Sequence, residues 1–189
     1  MIAILDAIDQ GALHVEVSLV LSNNPNSAAI QHAASAGVKT AVIDHKPFGK
    51  DREAFETRID AALREAQVDC VVLAGFMRVL TPYFVSRWKG RLINIHPSLL
   101  PSFRGLHAQR QAIEAGVKLA GCTVHFVDEG TDTGPIIAQV AVPVFDDDTE
   151  DTLSARILEQ EHKLLPSALG MIARGLVHIE GNRVRVKSL

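Results

Sequence analysis

The chain has 189 residues, 47% of them apolar and 22% charged, and 19 Lys and Arg against 22 Asp and Glu give a net charge of -3. That length suits one domain with a substantial core. The charge balance offers no basic stripe for nucleic acid, and the sequence shows neither a secretory leader nor the roughly 18 to 20 consecutive apolar residues that cross a bilayer. Cytoplasmic residence is the expectation. Cys70 and Cys122 lie in apolar runs outside any C-x-x-C pair and read as buried, reduced thiols. The eight histidines are dispersed, so no metal site is expected.

In chain order, "MIAILDAIDQGAL" has a helical character, and "VEVSLVLS" (15–22) reads as a first strand. A helix over "NSAAIQHAASAG" (26–37) closes at Gly37, and "KTAVIDH" (39–45) is a second strand. Asp51 is a natural N-cap for the next helix, whose Phe55, Ile59, Ala62, Leu63 and Ala66 share one face. Strands follow at "CVVLAGF" (70–76) and "LINIHP" (92–97), separated by a short helix with Thr81 at its cap and Pro82 in its first turn. "GCTVHFV" (121–127) and "PIIAQVAVPV" (135–144) are further strands, and a long helix runs from about Thr149 to Arg174. Gly181-Asn182 marks the turn of a small terminal hairpin. Strands alternating with helices predict an α/β fold, an open, mostly parallel Rossmann-like sheet with helices on both faces, in a single domain spanning 1–189.

The chemistry concentrates at "INIHPS". In an open parallel sheet ligands bind beyond the carboxyl ends of the strands. Pro97 stops the ladder there, and strand alternation aims Asn94 and His96 at the same side. An amide donor beside an imidazole suits acyl chemistry, with Asn94 stabilising a developing oxyanion and His96 moving a proton. No activated Ser or Cys accompanies them, which favours direct transfer over a covalent intermediate. A structural Asn and a hydrogen-bonded core His fit the same pattern. The loop "DEGTDTGPI" (128–136) crowds three acids and two glycines after a strand. Asp132, if it approaches His96, would favour the imidazolium, while a solvated turn is the alternative. "LAGFMRVLTP" (73–82) sets an apolar patch beside Arg78, which is also compatible with core packing under a surface Arg.

Together "LAGFMRVLTP", "NIHPSLLPSFRGLHAQRQAIEAG", "TVHFVDEGTDTGPIIAQ" and "QEHKLLP" resemble the glycinamide ribonucleotide formyltransferase family across nearly the whole chain. The resemblance implies formyl transfer from 10-formyltetrahydrofolate in purine synthesis, by a monomer or homodimer acting on small molecules, with Asn94, His96 and Asp132 as the catalytic trio. It implies further that Met77, Arg78, Val79 and Leu80 line the folate pocket. Asp128, Glu129, Gly130 and Thr131 lie around the pterin, and Arg52 serves the folate side. Gly105, Leu106, His107 and Glu161 fall where the ribonucleotide is held. Read without the resemblance, Arg52 and Glu161 are equally solvated helix charges.

Family members open with a strand and a Gly/Ser/Asn-rich loop whose backbone donors hold the substrate phosphate. Here Met1 falls inside the helix that follows. The expectation is therefore either a start upstream of Met1 or a truncated relative with impaired ribonucleotide binding. Within the enzyme class, tRNA formylation would call for an added basic domain, and "RGLHAQRQA" favours the ribonucleotide enzyme over a formyltetrahydrofolate hydrolase. A folate binder without turnover is the reading outside that class.

Overall fold

The structure, a computed structural model, describes residues 1–76 and 78–187. Helix α1 (Ile2–Asp9) packs Ile4 into the core beside the long helix α6 (Glu150–Ala173). Strands β1 (Val20–Ser22) and β2 (Thr40–Val42) pair in parallel around α2 (Ala28–Ser35), with Val20 opposite Thr40. Ser27 Oγ accepts from the Ala29 amide at the start of α2, and Gly37, at φ +73°, supplies the left-handed residue after its end.

The early strands are shorter than their apolar runs. Residues 15–19 carry no ladder, although Val15 and Val17 pack against the core. Apolarity reports burial, whereas strand pairing also needs a neighbour in register. Among the described strands β1 pairs only with β2.

Helix α3 (Arg52–Glu65) starts where Asp51 Oδ1 accepts from the Ala54 amide at 3.0 Å, and it buries Phe55, Ile59 and Leu63. The same face buries two carboxylates. Glu56 accepts from the Thr81 amide at 2.9 Å and from the Thr81 hydroxyl. Asp60 accepts from Trp88 Nε1 at 3.0 Å and from Arg64 and Arg87 Nε at 2.9 Å each. These bonds fasten α4 (Pro82–Arg87) to α3. Thr81 does precede α4, but its hydroxyl serves Glu56 and makes no cap bond of its own.

The second sheet runs in the order β3 (Val71–Leu73), β4 (Leu92–His96), β5 (Leu119–Phe126), β6 (Ile136–Pro143). β3 and β4 are parallel, whereas β5 is antiparallel to both β4 and β6. The fold class is α/β, with the crossover pattern in the first half and antiparallel strands added beyond β4. A core of Ile93, Val124, Leu153, Ile157 and Ala168 fills the space between this sheet and α6. A second core gathers Phe55, Phe84, Trp88 and Leu92 under α3 and α4. The α6 N-terminus carries a reciprocal cap between Thr149 and Thr152. Strands β7 (Val177–Glu180) and β8 (Arg183–Val186) form the terminal hairpin, with Gly181 at φ +63° in its turn. None of the described helices is long and apolar enough to cross a membrane.

Candidate active site

Strand β4 delivers Asn94 and His96 to one face, and the register sets them opposite His125 and Thr123 of β5. Thr123 aims the chain that leaves β4. Its hydroxyl donates to the Ser98 carbonyl at 2.7 Å and accepts from the Leu100 amide at 3.1 Å and from Gln139 Nε2 at 2.8 Å. The segment it steers brings the Phe103 carbonyl to 2.9 Å from His96 Nε2. The other ring nitrogen, Nδ1, lies 3.4 Å from Asp132 Oδ2.

Asp132 does not come from the carboxyl end of a parallel strand, as its position after a strand suggested. β5 runs antiparallel, so its outgoing loop begins beside Leu92, where the Val127 amide donates to the Leu92 carbonyl at 2.9 Å. The loop then doubles back over the sheet. Asp128 Oδ1 ties it by accepting from the Gly130 amide at 3.1 Å and the Thr133 hydroxyl at 2.6 Å. At Gly134 a Cβ would lie 1.9 Å from the Phe126 carbonyl oxygen, so only glycine lets the loop return this closely. Asp132 itself has a left-handed φ of +52°, and its Oδ2 accepts from the Gly105 amide at 2.9 Å.

His125 connects the remaining pieces. Its Nδ1 is 2.8 Å from the Phe126 carbonyl, and its Nε2 is 3.3 Å from Asn94 Nδ2 and 3.6 Å from Asp132 Oδ1. Burial holds its pKa below the ordinary imidazole value, against the opposite pull of the Phe126 carbonyl and Asp132. Asn94, His125, Asp132 and His96 thus form one linked group. Sequence reading passes over His125. The available signal was an imidazole in an otherwise apolar strand, which must find a polar partner across the sheet.

The folate-side residues of the family resemblance lie along α3 and the segment after β3. Arg52 Nη1 donates to the Val79 carbonyl at 3.2 Å, and Arg78 Cζ sits 5.6 Å from the centre of the Phe55 ring. Leu80 packs on the core under α3 and α4, while Val79 is exposed. Met77 lies outside the described residues. Glu129, Gly130 and Thr131 are exposed on the loop that carries Asp132.

On the other side, Gly105 adopts φ +76°, Leu106 is exposed, and His107, at φ +57°, leads into α5 (Ala108–Glu114) with Nδ1 3.6 Å from Glu150 Oε1. Gln111 of α5 holds this loop by donating to the Arg104 and Leu106 carbonyls at 3.3 and 2.9 Å. Glu161 projects from α6 near Cys122, and burial pushes its carboxyl up to about 7. Burial, and then the Glu161 charge, push the Cys122 thiol up to about 12, while burial takes Cys70 to about 11. Among the described residues no hydrogen bond or ion pair joins Arg52 or Glu161 to the Asn94–Asp132 group. No described cluster of three or more His, Cys, Asp or Glu is placed to hold a metal ion. The linked group can donate a hydrogen bond to an oxyanion and carry a proton.

Residues 1–169 match the family model described as formyl transferase. The chain is 52% identical over 175 residues to the trifunctional purine biosynthetic protein adenosine-3 of Drosophila melanogaster, covering 92% of this chain but only 13% of that longer protein. It is 42% identical over 180 residues to phosphoribosylglycinamide formyltransferase of Escherichia coli (strain K12), covering 95% of this chain and 84% of that one. The crystal structure of glycinamide ribonucleotide transformylase 1 from Symbiobacterium toebii superimposes with a TM-score of 0.95 at 45% identity, over 98% of this chain and 87% of that one. With the family match reaching from residue 1 to residue 169, and with relatives of this identity, the chain belongs to the formyl transferase family.

Proposed function

We propose that the chain transfers the formyl group of 10-formyltetrahydrofolate to the amine of 5'-phosphoribosylglycinamide, a step of purine synthesis. The observation that carries the reading is the linked group of Asn94, His125, Asp132 and His96 at the end of β4, which offers an oxyanion donor and a proton carrier together. The substrate amine attacks the formyl carbon, and the carbonyl oxygen takes up the negative charge, where Asn94 Nδ2 and His96 donate to it. As the carbon–N10 bond of the folate breaks, the proton given up by the amine is relayed to N10 by His96. His96 Nε2 meets the Phe103 carbonyl at 2.9 Å, and Nδ1, which makes no hydrogen bond to Asp132 at 3.4 Å, is the nitrogen left to face the oxyanion and carry the proton beside the Asp132 charge. Direct attack is favoured because both thiols stay protonated near neutral pH.

In this reading Arg78, Val79 and Leu80 and the 128–131 loop, together with Met77, receive the folate. Arg52 supports that pocket by holding the Val79 carbonyl. Gly105, Leu106 and His107 face the ribonucleotide. Glu161, which has no cationic partner among the described residues, supplies a carboxyl to the substrate's amine or hydroxyls.

The test mixes the purified chain with 10-formyltetrahydrofolate, with and without phosphoribosylglycinamide, and follows folate and formylated product by mass spectrometry. Folate consumption that depends on the ribonucleotide and matches formyl-product formation is expected. Equal formate release without the ribonucleotide would assign a hydrolase instead. Folate binding with no consumption would assign a binding protein.

A further inference from the structure

We infer that His125 is a positioning residue whose Nε2 accepts a hydrogen bond from Asn94 and so decides which edge of that amide faces the reacting carbonyl. The inference rests on the proposed role of Asn94 as an oxyanion donor. A carboxamide has two edges of nearly equal shape, one an NH2 and one an oxygen. Only the NH2 edge stabilises an oxyanion, and the oxygen edge repels it. Something must hold Asn94 the right way round, and the surrounding hydrogen-bond network is what sets such an orientation.

His125 has the required chemistry, and its tautomer follows from its neighbours. The Phe126 carbonyl, 2.8 Å from Nδ1, can only accept, so Nδ1 carries the proton. The ring is 1% exposed, and its burial opposes a second proton. Nε2 is therefore a lone pair, and Asn94 Nδ2 stands 3.3 Å from it. A flipped Asn94 would set its oxygen against that lone pair and leave the buried ring nitrogen without a partner, a costly arrangement. Asp132 Oδ1, 3.6 Å from the same Nε2, makes no hydrogen bond to it, which leaves the Asn94 amide as the group within hydrogen-bond reach of Nε2. One N–H of Asn94 is spent on His125, and the second points elsewhere from the same nitrogen, free for the oxyanion. His125 need not touch substrate to do this.

Three substitutions separate this role from plain core packing. His125→Gln places a carboxamide oxygen near the old Nε2 and can still accept from Asn94, but it gives up the Phe126 bond. His125→Asn keeps a donor to Phe126 and loses the acceptor for Asn94. His125→Leu loses both.

Positioning predicts that kcat falls in the Asn and Leu variants toward the level of Asn94→Ala, on the order of a hundredfold. The Gln variant should keep most of its rate, and the KM for folate should stay unchanged in all three. Adding His125→Asn to Asn94→Ala should cost nothing further in kcat. A purely structural role predicts the opposite ranking, with kcat following stability in urea and the Asn variant, which retains the backbone bond, above the Gln variant; that result would overturn the inference.

A second readout needs no turnover. The 15N and 13C shifts of the His125 ring should report a neutral Nδ1–H tautomer between pH 6 and 8, and an Nε2–H tautomer would refute the inference. If the chain hydrolyses formyl folate instead, the same ranking is read on formate release, so failure of the proposed acceptor and failure of the His125 role remain distinct.

Discussion

Replacing Glu161 by Gln is expected to stabilise the protein at pH 8, to leave it nearly unchanged at pH 4, and to weaken ribonucleotide binding. Burial raises the Glu161 carboxyl from an ordinary 4.5 to about 7. Between those values the folded chain holds a proton that the unfolded chain has released. Stability therefore falls as pH rises through that window and levels off above about 7. A shift of about 2.5 units at 1.36 kcal/mol each amounts to roughly 3 kcal/mol above pH 7, and because Glu161 keeps some solvent contact, about 1 to 3 kcal/mol is the working range. A neutral Gln of nearly the same shape removes the pH-dependent part. The assay is urea unfolding of both proteins from pH 4 to 8, read as the difference in unfolding free energy. His125, whose pKa burial lowers, and the low-pKa carboxylates Asp60 and Asp148 shape both curves equally and cancel in that difference. Parallel pH profiles for the two proteins would refute the reasoning. So would a Gln variant with an unaltered ribonucleotide KM, since the charge kept at this cost would then have no use in binding.

Asn94→Ala and His96→Ala should each lower kcat by about a hundredfold or more while changing folate affinity little, as rapid-quench rates and fluorescence titration would show. Gly121→Ala should disrupt the β5–β6 ladder and lower the melting temperature, because the added Cβ would lie 2.0 Å from the Val140 carbonyl oxygen. Cys70 and Cys122, held near 11 and 12 chiefly by burial, should resist iodoacetamide at pH 8 in the native protein and react once it is unfolded in urea, read by intact mass. Leu153→Ala, which empties a fully buried position on the inner face of α6, should cost about 2 to 5 kcal/mol of stability by urea titration.

Features encoded by a few adjacent residues were legible in the sequence. Asp51 does cap α3, the long helix begins after Thr149, and Gly181-Asn182 does turn the last hairpin. The α/β class followed from the alternation of patterns. Strand length was less legible, because "VEVSLVLS" reports which residues avoid water and says nothing of which backbone groups find partners; only Val20–Ser22 do.

The candidate site divides along the same line. Asn94 and His96 lie two apart on one strand, so simple alternation sets them on one face. The groups that orient them are distant in sequence. His125 reaches Asn94 across 31 residues, and Asp132 reaches Gly105 across 27. Both long-range contacts depend on the antiparallel register of β4 and β5. Beside His125 the β5–β6 register also shifts, a strand irregularity of the kind that re-aims side chains near active sites. A one-residue slip of β5 would turn His125 to the other face and leave Asn94 free to rotate. The motif "NIHPS" shows an amide beside an imidazole, but under the proposed role of His125 the edge that the amide presents depends on a pairing that no local pattern encodes. The chemistry of such a site is therefore readable before its orientation is.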